Sequence, residues 1–212
     1  MELLKEKIRN NISSIIIIIG ILIIFMGISF LIYKYCKVKE NDNINNELIE
    51  EFFDTEDSIE EEKAVVEETE QPNVDNKINY LAVLEIPKIN LKRGLFDKNS
   101  SSNNVNRNIY FVNETILPDE SEVSHIILAA HSGNSYISYF RNLTKLDIDD
   151  YIYFFYKNNK YIYKVVNNYE IEKTGIMQLK TSDVSDITLI TCIHDTNKQL
   201  VLNAKLINVE NY

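Results

Sequence analysis

Two residues stand out for chemistry before any fold is considered. The apolar run Ile187-Thr188-Leu189-Ile190-Thr191 ends at Cys192, and the run Ile126-Ile127-Leu128-Ala129-Ala130 ends at His131-Ser132-Gly133-Asn134. A free thiol with a pKa of about 8.5 becomes a useful nucleophile when a nearby base or cation raises its thiolate fraction. An imidazole can pass a proton to a leaving amine and take one from an attacking amine. One thiol and one imidazole at the ends of two strands are thus the minimum set for acyl transfer. Taken alone, the pair reads more simply as a buried structural thiol and a satisfied histidine. His194, two residues beyond Cys192, reads as a solvated loop residue, and His125, ahead of its strand, as a surface one. Cys192, His194, His131 and His125 lack any usual zinc-ligand spacing, so no metal is expected from them.

Those two positions need a β framework, and the chain from residue 77 onward supplies one. Short β-type runs cover Tyr80 to Ile86, Asn108 to Val112, Ile126 to Ala130, Tyr151 to Tyr156, Tyr161 to Val166, Ile187 to Cys192 and Leu200 to Ile207. Seven or eight strands at such spacings predict a barrel or a sandwich. Lys157-Asn158-Asn159-Lys160 separates two aromatic-rich runs, and Asn tolerates the left-handed backbone of a tight hairpin. Ile137, Phe140, Leu143 and Leu146 recur every three residues, which predicts a short helix laid on the sheet. The fold class is mostly β with one or two short helices.

The rest of the chain is a different material. Of 212 residues, the first 39 carry a net charge of +4, residues 40–76 carry -14, and the remaining residues sum to zero, for a total of -10. A neutral domain on an acidic connector disfavours nucleic acid as a partner. From Ile12 to Tyr33 there are 22 residues without a charge. As a helix they cover about 33 Å, against a hydrocarbon core of about 30 Å. A cleaved signal peptide would have a shorter apolar stretch and a small-residue cleavage site, whereas this one runs into Tyr33-Lys34-Tyr35-Cys36-Lys37. The segment therefore reads as a retained transmembrane helix, residues 12–33, after a short tail, residues 1–11. Flanking Lys and Arg residues are balanced, so charge alone does not orient it. Residues 34–76 read as an acidic flexible linker, self-repelling and extended, in which Leu48, Ile49, Phe52 and Phe53 could make one or two amphipathic turns that pack on the domain or lie near the membrane.

Three motifs in register carry a family resemblance. Leu84-Glu85-Ile86-Pro87-Lys88-Ile89-Asn90-Leu91 resembles the opening strand of the sortases, and Leu128-Ala129-Ala130-His131-Ser132-Gly133, followed by Phe140 and Leu143, resembles their histidine motif. Thr188-Leu189-Ile190-Thr191-Cys192 is similar to their cysteine motif. The resemblance runs from about Tyr80 to Ile207 and reverses the structural reading of Cys192 and His131. It implies an eight-stranded sortase-like β-barrel at residues 77–212, preceded by a single transmembrane helix. It implies a cysteine transpeptidase of a Gram-positive bacterium. Cys192 would attack a carbonyl in the C-terminal sorting signal of a surface protein to form a thioester, with His131 as acid and base. The acceptor amine would come from a cell-wall precursor or a pilin. It also implies a cytoplasmic N-terminus and an extracellular domain at the cell membrane. Hydrolysis of the same intermediate by a surface cysteine peptidase, or a catalytically weak tethered binding module, are the competing functions. The family's Arg after the cysteine strand is replaced here by Gln199, aligned through Leu200-Val201-Leu202, which motivates the weaker-module alternative. No cofactor is expected. Some sortases use Ca²⁺, but Asp147, Asp149 and Asp150 read as a polar turn rather than a site.

Overall fold

A computed structural model describes residues 2–62, 79–174 and 183–212, which divide into two compact units, 1–43 and 44–212. In the first unit the chain is helical from Glu2, part of a helix α1 (Glu2–Glu62). Its large apolar side chains between Ile15 and Tyr33 are all exposed, within a stretch whose mean hydropathy reaches 3.2. That segment is long and apolar enough to cross a membrane, because its own backbone hydrogen bonds are made internally and its surface is apolar all round.

The second unit is built on eight strands: β1 (Ala82–Ile86), β2 (Leu91–Leu95), β3 (Tyr110–Phe111), β4 (His125–Ala129), β5 (Tyr151–Tyr156), β6 (Asn159–Glu172), β7 (Asp186–Cys192) and β8 (Lys198–Asn211). They form one mixed sheet in the order β2-β1-β5-β6-β8-β7-β4-β3, rolled into a nearly closed barrel. Every neighbouring pair is antiparallel except β4 and β7, which run parallel with Ala129 opposite Ile190. Leu84, Ile86, Phe111, Ile126, Leu128, Phe154, Leu189 and Leu202 fill the interior and are at most 1% exposed. Strands β2 and β3 are the sheet edges, and side chains bridge the seam between them: Arg93 Nε donates to Asn108 Oδ1 at 3.0 Å, and Asn108 Nδ2 donates to Gly94 O at 2.7 Å.

Local chemistry explains most elements. Strands β5 and β6 meet at the two-residue loop Lys157-Asn158, whose φ angles of 48° and 58° make the left-handed hairpin turn that matches strand twist. Strand β2 is not among the expected runs, because Leu91-Lys92-Arg93-Gly94-Leu95 is poor in β-favouring residues. Asn90, with φ of 51°, reverses the chain onto β1, and pairing makes the strand. Gly94 is required there: a Cβ would run into the ring of Tyr80. The expected helix around residues 137–146 is a series of turns ending in one 3-10 turn, Leu143–Lys145, although Phe140, Leu143 and Leu146 are buried as their spacing predicts.

The acidic segment differs from the extended tether expected between residues 34 and 76. It is helical as far as Glu62, and the second unit begins at Ile44 rather than at residue 77. Ile49 and Phe52, with Leu48 and Phe53 beside them, pack on Tyr80, Val83, Phe155 and Tyr212, while Glu47, Glu50 and Asp54 stay exposed. An apolar stripe of that width, buried on a sheet, offsets the ordering cost that charge alone would leave uncompensated. Residues 63–76 lie outside the described residues.

Candidate active site

The parallel pairing of β4 and β7 determines where the two reactive groups lie. Because both strands point the same way, their C-terminal ends share one end of the barrel. The alignment continues beyond the last ladder pair: Ala130 N donates to Ile190 O at 3.2 Å, Thr191 Oγ1 donates to Ala130 O at 2.8 Å, and Ser132 Oγ donates to Cys192 O. His131 and Cys192 therefore sit level on neighbouring segments, both half-buried. The backbone carbonyl of His131 is held in turn by Phe140 N at 3.1 Å.

Side-chain alternation places Cys192 away from the packed interior. In β7 the core residues are Ile187 and Leu189, so Thr188, Ile190 and Cys192 face the other way. In β8 the core residues are Leu200, Leu202 and Ala204, which puts Gln199 on the same outward face as Cys192. Gln199 is also the cross-strand partner of Cys192 in the β7–β8 ladder. Directly opposed side chains in an antiparallel pair stand about 5 Å apart at Cβ. The structure thus brings together all three residues singled out from sequence: Cys192, His131 and Gln199.

Other candidates fall elsewhere. His194 is exposed and paired with Asp195 at 2.7 Å, as a loop residue. His125 is not the surface residue the sequence suggested. It opens β4 opposite Asp186 of β7, and the two side chains are 3.1 Å apart and mostly buried. Lys198, beside Gln199 in β8, is paired with Glu170 at 2.8 Å. Lys88 bridges Asp147 and Asp150 at 2.6 and 2.7 Å, and its ammonium holds the Asp150 carboxyl below its usual range against the opposing effect of burial. Among the described residues, no group of three or more His, Cys, Asp or Glu side chains is placed to hold a metal ion.

One neighbour was invisible to sequence reasoning. Asn106, in the loop between β2 and β3, places Oδ1 3.2 Å from His131 Nε2. No local pattern marks this residue, since the contact joins positions 25 apart through the barrel seam.

A thiol at the end of one strand beside an imidazole at the end of its parallel neighbour, on a mostly β barrel, makes a candidate thiol acyl-transfer site. Comparison with known proteins gives the class a family: a model described as the sortase domain matches residues 84–207, and the chain belongs to the sortase family. Among solved structures, a Clostridium perfringens sortase D5 transpeptidase is 23% identical with a TM-score of 0.58, covering 78% of this chain and 99% of that one. Listeria monocytogenes sortase A is 21% identical with a TM-score of 0.53, over 63% of this chain and 90% of that one. Streptococcus agalactiae sortase C1, in complex with MTSET, is 25% identical with a TM-score of 0.53, over 61% and 69% respectively. Curated protein sequences gave no match.

Proposed function

We propose that the chain is a membrane-anchored transpeptidase that cleaves a sorting signal through a thioester on Cys192. The thiolate adds to the scissile carbonyl, and the peptide C–N bond breaks as the leaving amine takes a proton from the His131 imidazolium. An acceptor amine then attacks the thioester, gives a proton to the imidazole and releases the thiolate. Gln199, opposite Cys192, donates its amide N–H to the substrate carbonyl or the developing oxyanion. In this reading N-terminal residues 1–11 lie in the cytoplasm, residues 12–33 span the cell membrane and the barrel works outside the cell. Its substrates are surface proteins with a sorting signal, and its acceptor is a cell-wall precursor or a pilin amine.

The observation that carries the proposal is the level placement of His131 and Cys192 on the one parallel strand pair, with Gln199 across the ladder. Gln199 also motivates the second reading, a tethered module of weak turnover, because a neutral donor makes a bond about half as strong as a charged one. A library of pentapeptide sorting signals, offered to the full chain in detergent micelles with and without an amine, separates the possibilities. Transpeptidation yields the ligated product whenever amine is present. A product that is acid under both conditions marks a peptidase, and failure of every peptide to acylate Cys192 leaves only the binding module.

A further inference from the structure

We infer that Asn106 is a positioning residue for His131, an assignment that rests on the acid and base role proposed above. Its side-chain oxygen lies 3.2 Å from Nε2, within N–H···O range. An amide oxygen only accepts, so this contact requires hydrogen on Nε2 and makes Nδ1 the nitrogen that exchanges protons with the reacting groups. Fixing one tautomer removes the fraction of neutral molecules in which Nδ1 already carries the hydrogen and has no lone pair with which to take a proton.

The loop that carries Asn106 is held from both sides. Asn106 N donates to Asn104 Oδ1 at 2.8 Å, and Arg107 N and Asn108 N both donate to Asn104 O, at 2.9 and 2.8 Å. Two residues on, Asn108 is fully buried and fastened to Arg93 and Gly94 of β2. On the other side Tyr139, in the loop that follows His131, donates its hydroxyl to Arg107 O at 3.4 Å, and the Arg93 guanidinium stacks 4.4 Å from the Tyr139 ring. The same side chains that close the barrel seam therefore hold Asn106 against the imidazole. An exposed asparagine on an unanchored loop would give a contact too mobile to select a tautomer.

The test uses the full chain in detergent micelles with ¹⁵N-labelled histidine. The chain has three histidines, so His125→Gln, His131→Gln and His194→Gln assign the imidazole signals. In the parent protein the neutral ring of His131 is expected as the Nε2–H tautomer. Asn106→Ala should give a mixture of tautomers, while Asn106→Asp, which keeps the acceptor, retains the parent form. With a pentapeptide bearing a fluorescent leaving amine, Asn106→Ala should lower kcat by about tenfold to a hundredfold, by analogy with the loss of an orienting partner from a metal-bound histidine. KM should stay within about twofold, and Asn106→Asp should restore most of kcat. A parent His131 protonated on Nδ1, or a tautomer unchanged in Asn106→Ala, overturns the assignment. If no peptide acylates Cys192, the transpeptidase reading falls while the tautomer measurement still decides the role of Asn106.

Discussion

Asn45 and Gln199 carry the same amide group in two regions of the barrel and use it in opposite ways. On the flank where residues 45–53 lie against β1 and β2, Asn45 is 3% exposed and fully engaged. Its Oδ1 accepts from Gly94 N at 3.1 Å and from the Tyr80 hydroxyl at 3.2 Å, and its Nδ2 donates to Lys92 O at 3.2 Å. Burial also raises the Tyr80 phenol pKa, which keeps that hydroxyl a donor. At the end where β4 and β7 finish and β8 begins, Gln199 is half-buried, and no hydrogen bond engages its side chain among the described residues. Polar groups that hold a fold are consumed by it, because an unpaired buried donor is costly. Groups that meet a substrate stay available, at the edge of burial. The contrast separates the two regions by side-chain satisfaction alone, without reference to any relative.

Removing the Cys192 thiol breaks the comparison most severely. Cys192→Ala should abolish thioester formation, read by mass spectrometry of the peptide-treated protein, while the denaturant midpoint moves by the equivalent of about 0.5 kcal/mol or less, as for a half-exposed residue outside the core. Transfer that survives in this variant contradicts the site. The mirror experiment is Asn45→Ala, which leaves Gly94 N, Lys92 O and the Tyr80 hydroxyl without their partner. At about 1–3 kcal/mol for a buried group left unsatisfied, a loss of about 2–3 kcal/mol of stability is expected, with kcat and KM of the folded fraction within about twofold of the parent. A drop in activity beyond the unfolded fraction would show that the flank and the strand ends are coupled.

How much of this was legible beforehand depended on whether the signal was local. Cys192 and His131 stood out because each ends an apolar run, and drew a role from the resemblance; the β5–β6 hairpin was marked by Asn158, which tolerates positive φ, although the turn is Lys157-Asn158 rather than the whole of residues 157–160. Strand β2 was hidden, since Lys92, Arg93 and Gly94 become a strand only through β1. The parallel pairing of β4 with β7 is encoded by no periodicity, yet it is what puts the thiol and the imidazole at one end. In the acidic segment the apolar Leu48, Ile49, Phe52 and Phe53 stood out, but the charge around them masked how far the helix extends and said nothing of Asn45. Asn106 was beyond reach for the same reason as Asn45: both matter through a hydrogen bond to a distant part of the chain.

The smallest effect sharpens the comparison most, because it asks why the strand-end amide is an amide at all. Gln199 stands opposite Cys192 with no side-chain bond to lose, so Gln199→Arg should fold normally, with stability within about 0.5 kcal/mol of the parent. A guanidinium there would make a charge-assisted bond to the developing oxyanion, about twice as strong as the neutral one. Turnover of the pentapeptide should therefore be preserved or rise by up to about tenfold. A cation beside the thiol also favours the thiolate, so alkylation of Cys192 should reach half its maximal rate at a lower pH in the variant than in the parent. A large loss of turnover, with the alkylation profile shifted as expected, would mean that substrate binding at the strand end is shaped around a neutral side chain, and that the missing charge is a feature of this site rather than a deficit.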